Sequence, residues 1–213
     1  MPTESPTPTV TVWGLAVLRT EPDEAVLWLN LSALEDTPGA ALSDVAARGA
    51  ALVTLLDGLG VAKADRSTTG ITVEEEHDHT SEGGRRLLGQ RATSNTSVRL
   101  ADPDRVGELV SKATDELSAR VHGLRWLISL DNPVRLEAAR LASADAERKA
   151  RAYTQGIGAE LGPLLRLSES GGTAEGHGPM RLARTVSAGS MPVEAGEQSV
   201  TASIEATFAL VPG

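Results

Sequence analysis

Apolar and polar side chains alternate from Thr9 to Leu18, with Val10, Val12, Ala16 and Leu18 on one parity, and again from Ala25 to Ala33, where Leu27, Leu29 and Leu31 keep the same beat. A period of two predicts strands, because successive side chains leave a pleated backbone on opposite faces. Between the two runs stands Glu21-Pro22-Asp23-Glu24. Its proline and aspartate favour chain reversal, so the two strands are expected to form a hairpin.

Three later segments share a helix-start grammar: Thr37-Pro38, Asp102-Pro103 and Asn132-Pro133 each set a capping side chain before a proline. The proline costs nothing at the first helical position, where its missing N–H would be unpaired anyway. In the first helix Leu42, Val45, Gly49, Leu52, Leu56 and Leu59 form an apolar stripe that stops at Gly58 and Gly60. In the second, Val106, Leu109, Val110, Ala113 and Leu117 form the stripe and Gly123 is expected to end it. The third is predicted from Pro133 to Leu161, with an inward face of Ala139, Ala142, Ala146, Ala150, Tyr153 and Ile157. Small side chains on that face let the helix lie close to its neighbour.

Strands are expected over 67–80, 87–100, 124–130, 164–167, 181–186 and 199–211. The last alternates cleanly, with Val200, Ala202, Ile204, Phe208 and Leu210 on one side and Ser199, Thr201, Ser203, Glu205 and Thr207 on the other. Residues 81–85 look like a hairpin tip, and 168–178, rich in Gly and Ser, like a loop. The expected fold class is α+β: a mostly antiparallel sheet with three helices packed on one face and a long projecting β-hairpin. That hairpin, residues 67–100, has only Ile71, Val73, Val98 and Leu100 as strongly apolar members. Isolated hairpins are marginal in water, so its outer half is expected to be steadied by another copy of the chain. Residues 1–8 carry three prolines and read as a disordered tail. Residues 9–213 read as a single domain.

With 213 residues, 40% hydrophobic and 23% charged, the chain has the balance of a globular protein able to bury a core. It has no Cys, which removes disulfides, thiol nucleophiles and thiolate metal sites. A formal net charge of −9 opposes phosphate backbones, so nucleic acid is not an expected partner. No run of about 18 apolar residues occurs, so no membrane span is expected. The N-terminus lacks a basic and then apolar leader, which reads as cytoplasmic, or as periplasmic or exported if a leader has been removed.

Several stretches together resemble the SIMPL-domain family, which includes the YggE-like periplasmic proteins and outer-membrane immunogens of bacteria. They are Gly14 with Pro22-Asp23-Glu24-Ala25, Leu59-Gly60-Val61 with Asp65, and Arg91-Ala92-Thr93-Ser94-Asn95 with Val98. In the long helix they are Ala138-Ala139-Arg140, Asp145-Ala146, Lys149-Ala150 and Tyr153, ahead of Gly158 and Leu161-Gly162. Ser168-Glu169 and Gly196-Glu197 with Val200, Ala202 and Ile204 match the tail, while Gln90 departs from the aromatic residue usual in the family. The resemblance implies an α+β fold, large ring-like or channel-like homo-oligomers and a loose link to envelope or oxidative-stress physiology. It implies no catalytic residue and no cofactor.

The sharpest chemical candidate is His77-Asp78-His79 behind Glu74, Glu75 and Glu76, where alternate strand positions would put both imidazoles on one face. Two ligands are too few for a tight metal site, so a polar hairpin flank is the expected reading and no metal residue is assigned. His122, before Gly123, is expected at a helix end, where an imidazolium would face the negative pole. His177 falls in the Gly-rich loop. No nucleophile elbow or phosphate-cradling loop occurs, so catalytic and cofactor-binding residues are none. Trp13, Trp28 and Trp126 read as core positions ahead of interface anchors. The expected function is non-enzymatic self-assembly, with a monomeric or dimeric module binding a peptide or small ligand as the alternative. An enzyme would need convergent polar residues that this sequence does not display.

Overall fold

The computed structural model describes residues 8–79, 85–169 and 194–212. They form two compact units, each an antiparallel sheet with helix on one face.

The first unit holds β1 (Thr9–Thr20), α3 (Pro133–Gly156), β6 (Ala159–Glu169) and β7 (Gln198–Pro212), with sheet order β1-β7-β6. β1 pairs with β7 in unbroken register from Thr9↔Ala209 to Thr20↔Gln198. Alternation then sends Val12, Val200, Ala202, Ile204, Ala206 and Phe208 to the face under α3. The Pro8 carbonyl accepts the Leu210 N–H at 2.8 Å, carrying the pairing one step before β1. The Asn132 side chain accepts the Val134 N–H at 3.0 Å and caps α3 ahead of Pro133.

The second unit holds β2 (Glu24–Glu35), α1 (Pro38–Gly58), β3 (Arg66–His79), β4 (Arg85–Leu100), α2 (Val106–Leu117) and β5 (Arg120–Leu127), with sheet order β3-β4-β2-β5. Its core is Leu27, Leu29 and Leu31 of β2 against Val45, Leu52 and Leu56 of α1 and Val106, Leu109 and Ala113 of α2. Thr37 Oγ1 accepts the Ala40 N–H at 3.2 Å and starts α1. At the far end the Val61 N–H reaches back to the Leu56 carbonyl at 2.9 Å through Gly60, whose φ of +72° suits glycine. On the opposite face of the sheet Asn30 is buried and its Nδ2 donates to Asn95 Oδ1 at 2.9 Å.

The expected α+β class is the observed one, with the strands divided over two sheets. The predicted hairpin of the first two strands does not form: β1 pairs with β7, and β2 pairs with β4 and β5. Glu21–Glu24 lets the chain pass from one unit to the other instead. α2 ends at Leu117 rather than Gly123, because Ser118 takes a left-handed conformation and breaks the ladder. Gly123 lies instead in β5 beneath the Trp28 ring. The long helix stops at Gly156, five residues before Leu161, and its buried face is Ala138, Ala142, Asp145, Ala146, Ala150 and Thr154. Ala139 is exposed, as are Tyr153 and Ile157. Leu42 of α1 is exposed as well, Ala41 taking the inward position. α1 is, among the described residues, the one helix long and apolar enough by length and composition to cross a membrane, and here Ala41, Val45, Leu52 and Leu56 pack on the four-stranded sheet. The tail at 1–7, the hairpin tip at 81–84, the loop beyond Glu169 and the strand expected at 181–186 lie outside the described residues.

Candidate functional site

α3 crosses β1 closely because neither element carries bulk at the crossing. A Cβ on Gly14 would fall 2.0 Å from the Ala142 carbonyl oxygen and 2.9 Å from the Ala146 Cβ. Only glycine fits there, and the buried alanines of α3 complete the seam. The close approach carries two charged side chains of α3 over the outer edge of β1. Asp145 Oδ2 accepts the Leu15 N–H at 3.0 Å, and Lys149 Nζ donates to the Trp13 carbonyl at 2.8 Å. Lys149 Nζ also stands 2.7 Å from Asp145 Oδ2, and Arg148 pairs with Oδ1. Carboxylate and ammonium thus serve the backbone groups flanking Gly14, as a neighbouring strand would. The hydrogen bond from Lys149, and then that from Leu15, holds the Asp145 carboxyl below its ordinary range against the opposing effect of burial.

Beside this crossing lies an open groove. Leu161, Leu164 and Leu167 of β6 and Phe208 of β7 floor a space of about 490 Å³, with Arg140, Glu147 and Arg151 on its α3 bank. Leu164 is 48% and Leu167 54% exposed. Arg140 donates twice to the carboxylate of Glu137, at 2.8 and 2.6 Å, and this pair lowers the Glu137 pKa. Arg151 donates twice to Glu147 Oε1, at 3.2 and 2.5 Å.

The second unit carries an arm. β2 accompanies β4 only from Leu100 to Gln90, whereas β3 and β4 stay paired out to His79↔Arg85. Among the described residues, 76–79 and 85–89 therefore form a two-stranded extension with no third strand. Glu76 and Arg91 close its root at 2.9 Å, and the Arg91 hydrogen bond lowers the Glu76 pKa. A Cβ on Gly89 would lie 2.7 Å from the Glu35 carbonyl oxygen, so the chain skims the end of β2 as it leaves the sheet. The register slips beside Glu76, and Leu87 and Leu88 stand exposed.

His77 lies in this arm, its Nδ1 3.3 Å from Arg85 Nη2 and its Nε2 3.6 Å from Glu75 Oε2. A guanidinium against one ring nitrogen repels a divalent cation. The His79 side chain and His177 lie outside the described residues. Among the described residues no three His, Cys, Asp or Glu converge as a metal site would require. His122 is not at a helix end but exposed within β5, because α2 has already finished. Trp126 packs against the core of the second unit and Trp28 is half-buried, but Trp13 is 55% exposed on the face of β1 away from α3, beside exposed Leu15 and Val17. The joint role of Asp145 and Lys149 is not among the expectations drawn from the sequence. Their signal was present: Asp145 lies seven and three residues after Ala138 and Ala142, on the buried face.

Gly14, Asp145, Ala146 and Lys149, scattered through the resemblance to SIMPL proteins, meet at this one crossing, and Arg140, Leu161, Gly162 and Ile204 line the groove beside it. No curated protein matches the chain. The family described as SIMPL, a protein of unknown function (DUF541), matches residues 10–208, a span that takes in both units. The chain belongs to the SIMPL family.

Proposed function

We propose that this chain is a non-enzymatic structural protein whose copies associate into a closed, ring-like or channel-like homo-oligomer. The observation that carries this reading is the two-stranded arm. Its strands leave the sheet beyond Gly89, and Arg85, Arg86, Leu87 and Leu88 stand exposed, the two leucines at 52% and 44%. An isolated two-stranded ribbon is marginal in water and gains order when its apolar side chains meet a partner surface. A closed assembly would also remove the sheet edges that an isolated chain leaves open. A role in envelope or oxidative-stress physiology, in an exported location, is part of the proposal only through the family resemblance.

Size exclusion coupled to light scattering tests this directly. The expected result is a discrete mass several times that of one chain, reduced when Leu87 and Leu88 are replaced by Asp. A clean monomer at micromolar concentration would overturn it. That outcome would favour the second reading, in which the groove of α3 and β6 captures an apolar peptide or small ligand. The floor of Leu161, Leu164, Leu167 and Phe208 is what supports that alternative.

A further inference from the structure

Among the described residues the two sheets have four outer strands, β1, β6, β3 and β5. Asp145 and Lys149 already occupy the middle of the β1 edge. β5 has only eight residues, the shortest of the four. Among the described residues, β6 and β3 are the long outer strands with no such cover. Pro163 deprives β6 of one donor, which leaves residues 164–169 as its pairing stretch, with one register shift against β7 at Leu164/Arg166. In β3 residues 70–76 run in regular register between two bulges. The two stretches match in length, roughly 20 Å each at about 3.3 Å per residue.

We propose that the β3 edge of one copy adds to the β6 edge of the next, joining the three-stranded sheet of one chain to the four-stranded sheet of its neighbour. The side chains support this match. Ile71 and Val73 lie opposite Ser94 and Ala92, and Ala92 is buried in the core of the second unit, so both project on the helix side of β3. Ile71 is 64% exposed because α1 does not reach it. On β6 the helix side carries Leu164 and Leu167, also beyond the cover of their helix. Edge pairing with both helices on one side brings the two exposed apolar pairs together between α3 and the neighbour's α1. A groove of about 430 Å³ beside α1, lined by Ala50, Val53, Thr68 and Thr96, would then adjoin the groove beside α3.

Charge points to the same occupant. α3 bears Arg135, Arg140, Arg148, Lys149 and Arg151 against Glu137, Asp145 and Glu147. The outer half of β3 bears Glu74, Glu75, Glu76 and Asp78 beside His77 and His79 and has no Lys or Arg, Glu76 being paired with Arg91 of β4 at 2.9 Å. Parity puts Glu75 on the same side as Ile71 and Val73, next to the arginine bank of the groove. Because the two edges differ, the contact is head to tail and can propagate until it closes. This inference rests on the self-association proposed above and adds to the arm a second pair of contact surfaces.

The test uses the full chain in light scattering. Val73→Asp and Leu164→Asp are each expected to abolish the wild-type oligomer, and their equimolar mixture to yield a dimer, since each variant keeps one working edge. Circular dichroism checks that both fold. Since the chain has no Cys, mixing Val73→Cys and Leu164→Cys chains under mild oxidation supplies a second readout that needs no disruptive charge, and a disulfide-linked dimer is expected. An oligomeric wild type with both Asp variants at full mass and no cross-link would overturn this pairing and leave self-association to another surface. A monomeric wild type would overturn both.

Discussion

Gly14 lies directly beneath Ala142, with so little space that the carbonyl oxygen of Ala142 stands where a Cβ on Gly14 would have to go. The contact lets α3 approach β1 closely enough for Asp145 and Lys149 to reach its backbone. Gly14→Ala is therefore expected to push α3 off the sheet and cost about 3 kcal/mol, the upper range for overpacking. Urea denaturation followed by circular dichroism measures the loss. Gly39→Ala in α1, where a Cβ meets nothing within 4 Å, is the control and is expected to leave stability equal or slightly raised.

Asp145 carries a prediction about acid stability. Its folded-state pKa lies below that of the unfolded chain, so its stabilisation is complete above the ordinary aspartate value of about 3.9 and is lost as pH falls through the depressed folded value. Asp145→Asn keeps the shape but removes the charge. At pH 7 it is expected to cost about 2 kcal/mol, the range for a charge-assisted hydrogen bond. As pH falls through that depressed value the variant and the wild type are expected to converge. Thermal melts from pH 2 to pH 7 check this, and a constant gap across that range would show that the charge is not what matters.

Much of this fold could be read from alternation and capping. The parity of β7 and the caps at Thr37 and Asn132 stand as the residues suggested. Which strands pair was not legible, because Glu21-Pro22-Asp23-Glu24 has the chemistry of a reversal, and local residues do not distinguish a hairpin from a crossing between units. The face of α3 was misjudged for a related reason. An alanine stripe looks the same over a wide arc, and a buried Asp145 makes sense only once the Leu15 N–H it serves is in place. The groove needed β6 and α3 side by side, a long-range fact that no local pattern carries.

Asn30 and Asn95 form the next testable pair. Asn30 is 7% exposed and its amide nitrogen donates to Asn95 Oδ1 at 2.9 Å. Asn95→Ala removes that acceptor and leaves a buried donor, which is expected to cost about 2 kcal/mol. Replacing both residues with Leu removes the need as well as the partner, so the double variant is expected to lose less than Asn95→Ala alone. Chemical denaturation of the two variants and the wild type decides it.

Ser118 gives a prediction of the opposite sign. It closes α2 with φ +49° and ψ +32°, the only described residue other than glycine with positive φ, while the Ser118 N–H returns to Thr114 O at 3.1 Å and the Ala119 N–H to Ala113 O at 2.9 Å. The left-handed conformation costs a residue with a Cβ roughly 1–2 kcal/mol. Glycine is free of that cost but loses about 0.4–1 kcal/mol through the greater freedom of its unfolded chain. The first effect exceeds the second, so Ser118→Gly is expected to stabilise the protein by about 0.5 kcal/mol. Ser118→Val, whose branched side chain tolerates positive φ least, is expected to destabilise it by more than 1 kcal/mol, on the order of the strain for such a residue. Equilibrium urea titration orders the three proteins, and a glycine variant weaker than the serine parent would mean that the Ser118 side chain contributes more to the helix end than its backbone strain costs.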